Sequence, residues 1–234
     1  MATEKKARRK KKELDEAIWN ALEKQIIENG FNDVTLIKLA QEAGVELPVI
    51  YNRFKNKDEL IEQYVNRYDC WLNDLIQIEI GNTAKENFKK VLVDLINGLY
   101  DNEVMQRVLI WEINDTHKIT RRMAQGREVD STELLEYFEG ELNSNSKVVG
   151  ALMIAGIYYL ILHRKISTFC TINFNTIEGK QKLIETIGDM TDRLFPGNSQ
   201  IMDIAKKLLA KGMDKNTISE VTGIPADKII NNEQ

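Results

Sequence analysis

Several things are scarce in this chain of 234 residues. There are 3 prolines, 2 cysteines and 2 histidines. With so little proline and an abundance of helix-forming residues, long helices are permitted, and the alternation of apolar and polar residues that marks half-buried strands is hard to find. The fold expected is all-α. Cys70 and Cys170 lie far apart in sequence, and no secretory signal is expected because no apolar stretch follows the charged start. Reduced thiols are the expected state and the cytoplasm the expected location. His117 and His163 are the whole supply of imidazole. No metal-ligand cluster, phosphate loop or nucleophile motif is visible. The reading is therefore of a protein that is not an enzyme and needs no cofactor and no metal. The longest apolar run, residues 148–162, is too short to span a bilayer.

Positive charge is unevenly spread. The net charge is -4, which argues against a whole surface built for nucleic acid, yet residues 5–12 read KKARRKKK. This basic arm, residues 1–12, lies directly before the first apolar stripe and suits phosphate or minor-groove contact.

The stripes that follow describe a three-helix unit over residues 13–57. Leu14, Ala17, Ile18, Ala21, Leu22 and Ile26 form the first, closed by Asn29-Gly30, with Phe31 placed against the helix end. Leu36, Leu39, Ala40 and Ala43 form the second, with Thr35 at the N-cap and Gly44 where a left-handed residue ends a helix. Pro48 is tolerated only in a first helical turn, so a third helix must begin near Leu47. Ile50 and Phe54 then face inward and leave Leu47, Pro48, Val49, Tyr51, Asn52 and Arg53 outward or at the edge. This is the layout of a helix-turn-helix.

At these residues the chain resembles the TetR family of transcriptional regulators. Gly30-Phe31, Thr35, Ala40, Gly44-Val45, Tyr51, Phe54 and Lys57-x-x-Leu60 fall in the family's register. The resemblance implies phosphate contacts from Thr35 and Lys38 and base-edge contacts from Leu47, Pro48 and Val49. It also implies a phosphate clamp from Tyr51 and Lys57, and backbone or base contacts from Asn52 and Arg53. Ile37 takes a position where the resemblance would put a guanine-reading Arg, and Leu47 and Val49 replace polar residues. An apolar pair meets thymine methyls but offers no bidentate hydrogen bonds, so a different operator is expected, read partly through shape. The alternative for Leu47 and Val49 is burial.

Residues 58–196 read as a larger helical domain for ligand binding and dimerisation. A long helix is expected from Lys57 or Asp58 towards Ile80. Trp71, Tyr100, Met105, Trp111 and Tyr158 are the candidates for an apolar ligand pocket with polar handles. Residues 148–162 predict a helix buried on every side. With the helix over residues 176–194 it would pair with a symmetry mate, and Ala151, Ala155, Ile184 and Ile187 are the interface candidates. The partners implied are an operator in double-stranded DNA, a second copy of the chain and a small-molecule effector, with no membrane. A protein-interaction scaffold that has lost specific DNA binding is the alternative.

Pro196-Gly197-Asn198-Ser199 reads as a linker to a helical appendage over residues 197–234. Ile218, Ser219, Thr222, Gly223, Ile224 and Ile229 line up at constant offset with Leu39, Ala40, Ala43, Gly44, Val45 and Ile50. The lysines of this appendage are balanced by carboxylates, so the expectation is packing on the body or a partner rather than DNA contact.

Overall fold

The computed structural model describes residues 2–69, 71–138, 144–195, 198–226 and 229. Cys70 lies outside them. Twelve α-helices account for the described architecture, and the sole β-pairing among these residues is an isolated bridge between Phe169 and Ile172.

Three helices build the N-terminal head: α1 (Ala2–Asn29), α2 (Leu36–Glu42) and α3 (Leu47–Tyr51). The basic residues 5–12 are not an arm set before the first helix, as expected, but the opening turns of α1 itself. The local chemistry of the turn is as the sequence predicts. Thr35 is extended and its side chain accepts the Lys38 N–H at 3.3 Å. Gly44 is left-handed, at φ +66°, where a Cβ would be strained. Pro48 sits in the first turn of α3, where its missing N–H costs no helical hydrogen bond. Ile18, Leu22, Ile26, Phe31, Leu39, Ile50 and Phe54 close the head's interior.

The body begins with α4 (Lys57–Val65), capped by Asn56, whose side chain accepts the Glu59 N–H at 2.9 Å. The expected single helix towards Ile80 is instead broken. A 3₁₀ turn over Asn66–Tyr68 follows α4, and α5 is short, Trp71–Leu75. Gly98 gives the reason for the placement of α5: a Cβ there would lie 2.5 Å from Leu75 Cδ1, so Leu75 fills the space a side chain would take.

The remaining body helices are α6 (Ala84–Asp101), α7 (Glu103–Asn114), α8 (Lys118–Tyr137), α9 (Ser144–His163) and α10 (Ile177–Leu194). Thr83 and Glu86 form a reciprocal capping box at the start of α6. Residues Asp130 to Glu133 lie inside α8. α6 is the central element, packed against α5, α7, α9 and α10. Its buried face, from Phe88 to Leu99, belongs to one apolar core that runs without interruption from head to body.

Within the single chain α9 is not covered on all sides. Val148, Ala151, Leu152, Ala155 and Tyr159 form an exposed stripe at i, i+3, i+4, i+7 and i+11, while Met153, Ile157 and Ile161 are buried. Between α9 and α10 the chain reverses tightly at Cys170 and Thr171, both at positive φ.

The tail comprises α11 (Asn198–Ala210) and α12 (Lys215–Thr222). Among the described residues of the tail, Ala205, Ile218 and Ile229 are buried, in a cluster separate from the main core.

Candidate nucleic-acid interface

The head's outer surface is assembled by α2, α3 and the start of α4. Tyr51 is 53% exposed and Ile37 62% exposed. Pro48 and Asn52 are also exposed, and Val49 is half-buried. Leu47 is partly buried and packs against the core. It therefore does not project as freely as the sequence suggests, because the first turn of α3 lies close to the head's interior. The outward surface of α3 reduces to Pro48, Val49, Tyr51 and Asn52.

Arg53 is committed within the chain. Its Nε donates to Asp15 Oδ1 of α1 at 3.1 Å, tying the end of α3 to α1. Lys38 lies 3.9 Å from both Glu28 and Glu42, a loose pairing that a phosphate can displace. Lys57 opens α4 and donates from Nζ to the Asn32 carbonyl at 2.6 Å. Burial pushes its pKa below the ordinary lysine value, opposed by the nearby carboxylates of Asp33 and Asp58.

The positioning roles of four side chains, Gln25, Arg107, Trp111 and His117, were missed by sequence reasoning. Gln25 is buried on the apolar stripe of α1, and its Oε1 accepts the Thr35 N–H at 3.2 Å. It thereby fixes the N-cap of α2 from beneath. Its polar character between Leu22 and Ile26 was the available signal. Trp111 of α7 stacks on Phe31, with ring centroids 4.5 Å apart and planes 14° apart, and also on His117 at 5.4 Å. Arg107 of α7 donates to the Ile27 carbonyl in the last turn of α1 at 2.5 Å. His117 stands 3.5 Å from Asp58, the neighbour of Lys57. α7 and the segment after it thus hold both the end of α1 and the start of α4.

The five pocket candidates do not converge on a described cavity. Met105 and Trp111 are core residues. Tyr100 is partly buried, its hydroxyl donating to the Phe174 carbonyl at 3.2 Å. Tyr158 is also largely enclosed, and burial raises its pKa. Trp71 packs at the edge of the core. A cleft of about 510 Å³ lies instead at the junction of α1 with the α6–α7 corner, lined by Glu23, Ile27, Tyr68, Asp101 and Glu103 among others. Of the interface candidates, Ala151 and Ala155 are exposed and Ile184 is half-buried. Ile187 is buried in the chain's own core, because α10 turns that face towards α6. It cannot reach a partner. Among the described residues no cluster has the make-up of a metal site, and no helix is long and apolar enough to cross a membrane.

Comparison with known proteins separates the head from the rest. Residues 18–64 match the model of the bacterial regulatory proteins of the tetR family. Residues 199–233 match the C-terminal helix-turn-helix domain of the Rpn/YhgA-like nuclease family. An uncharacterised HTH-type transcriptional regulator of Haemophilus influenzae is 43% identical over 60 residues. That match covers 26% of this chain and 32% of the relative, so the chain aligns with about a third of that protein. A transcriptional regulator from a Rhodococcus species has a similar fold, with a TM-score of 0.59 at 16% identity, covering 76% of this chain and 95% of that one. A TetR-family regulator from Vibrio parahaemolyticus has a TM-score of 0.52 at 20% identity, covering 74% and 96%. At such identities the likeness is one of fold. Over residues 18–64 the sequence of the head is thus similar to that of the tetR family of bacterial regulatory proteins.

Proposed function

We propose that the chain is a DNA-binding transcriptional regulator that acts as a homodimeric repressor on a palindromic operator and is released by a small ligand. The observation that carries the reading is the helix-turn-helix surface: Pro48, Tyr51 and Asn52 stand outward from α3, with Lys57 beside them. Such a unit seats its second helix in the major groove and anchors the flanks on phosphates. The exposed stripe of α9 supports the dimer, since an apolar face of this length is otherwise left to water. Two-fold symmetry then predicts two half-sites spaced to match the two heads.

The ligand's role is supported by the contacts between body and head. α7 touches the head through Trp111 on Phe31 and Arg107 on Ile27, next to the cleft at the α6–α7 corner. A ligand that binds one arrangement of this junction better than the other shifts the spacing of the heads, and DNA affinity with it. Selection of duplexes from a random pool by the purified protein tests the reading. Enrichment of a palindrome is expected; no enrichment would sink it.

A scaffold without specific DNA binding is the second reading. The partial burial of Leu47 favours it, because it removes one of the few side chains placed to read bases. Binding with equal affinity to all duplexes, or to none, would select this alternative.

A further inference from the structure

The tail repeats the head's motif in structural detail as well as in sequence. Asp214 caps α12 from the position that Thr35 takes at α2. Ile218 is as fully buried as Leu39, and Ile229 as Ile50. Gly223 is left-handed at φ +70°, matching Gly44 at +66°. Ile224 packs on the tail's cluster as Val45 packs on the head's core.

Charge in the tail is balanced in total but polarised in place. Between residues 204 and 219 stand Lys206, Lys207, Lys211 and Lys215 against a single carboxylate, Asp214. Lys207, Lys211 and Lys215 are exposed and Lys206 is half-exposed, all around the turn that joins α11 to α12. Asp214 is turned back on the backbone, its Oδ1 accepting the N–H groups of Asn216 and Thr217 at 3.0 Å each. The other carboxylates, Asp203 and Glu220 nearest, lie to either side in sequence. The neutrality of the whole tail thus conceals a local basic surface.

We infer that this lysine-ringed turn is a second DNA-contacting surface, which holds the phosphate backbone of duplex flanking the operator. The inference rests on the reading of the head as a DNA-binding unit. Lysine suits the backbone of a duplex, where its ammonium stays hydrated and each phosphate met releases counterions. It is depleted at interfaces between proteins, where the same group must be stripped of water. Because the tail is joined to a head already on DNA, even a weak contact acts at high effective concentration. The contact adds affinity and salt dependence and leaves base preference unchanged, since phosphates carry no sequence information.

The test uses the full chain with Lys206, Lys207, Lys211 and Lys215 all changed to Gln. Affinity is measured across a salt series on the selected duplex, short and extended by a helical turn on either side. On the extended duplex the slope of log affinity against log salt should become shallower by about 4 to 7 for the dimer, at roughly 0.9 for each of two to four phosphates per tail no longer neutralised. The short duplex should show little change. Ala205→Asp, which breaks the tail's cluster without touching its lysines, should reproduce the shallower slope.

An unchanged slope on the extended duplex, while Lys57→Ala still weakens binding, would overturn the inference and leave the head's role intact. A changed sedimentation coefficient with an unchanged slope would overturn it in favour of protein pairing through the tail. If the unaltered chain binds no duplex, the inference falls together with the reading beneath it.

Discussion

Gln25 and Lys57 show how single side chains serve the surface proposed to meet DNA. Gln25 contributes nothing outward, yet it holds the Thr35 N–H from within the head. Gln25→Leu should keep the fold, since it replaces a buried amide by an apolar group of like size. The loss of one hydrogen bond, about 1 kcal/mol, should appear as a several-fold fall in DNA affinity; an unchanged binding isotherm would show that the N-cap needs no support. Lys57→Ala and Tyr51→Ala should weaken binding to all sequences alike, whereas Val49→Ala should change which bases are preferred. A repeat of the random-pool selection separates these outcomes. The lowered pKa of Lys57 has a further consequence. As pH rises this lysine loses its charge before an ordinary lysine does, so affinity should begin to fall earlier on the alkaline side. Lys57→Arg, which stays charged throughout that range, should remove that limb of the pH profile.

Elements are where the sequence is most legible, and the reason is that their ends are decided locally. Thr35, Gly44 and Pro48 each act within a few residues of themselves, through a cap, a left-handed turn and a missing N–H. Their structural consequences follow from neighbours in the chain. The break in the helix after Lys57 is hidden because the apolar stripe continues past Val65, and the seat of Leu75 of α5 against Gly98, a distant residue, cannot be read from periodicity. The same distinction explains Ile187 and the stripe of α9, where which face is covered is set by α6. The stacking of Trp111 on Phe31 and the pairing of Arg53 with Asp15 are likewise invisible to periodicity, since each joins separate elements. Thr83→Ala should cost about 1 kcal/mol by removing the N-cap of α6. A lower denaturant midpoint with an unchanged slope of the unfolding curve would register it.

At the scale of the whole molecule, one apolar core joins head and body, so the head is not a freely hinged module. Phe31→Ala should therefore cost about 3–5 kcal/mol, as buried aromatic truncations do, and lower the melting of head and body together rather than of the head alone. Calorimetry that resolved two transitions for these parts would contradict this. The exposed stripe of α9 makes a separate prediction. Leu152→Glu, at a position 66% exposed in the single chain, should leave the protomer folded and shift sedimentation from dimer to monomer. If the dimer persists, a different face pairs the copies.

The tail closes on only three buried side chains among the described residues, Ala205, Ile218 and Ile229. A cluster so small holds its backbone amides shut only weakly, whereas α6 lies in the middle of the main core. In heavy water the amides of α12 should take up deuterium long before those of α6, by a local opening that leaves the rest of the chain folded. This makes the tail an internal reporter, because any partner that seats on it slows its exchange first.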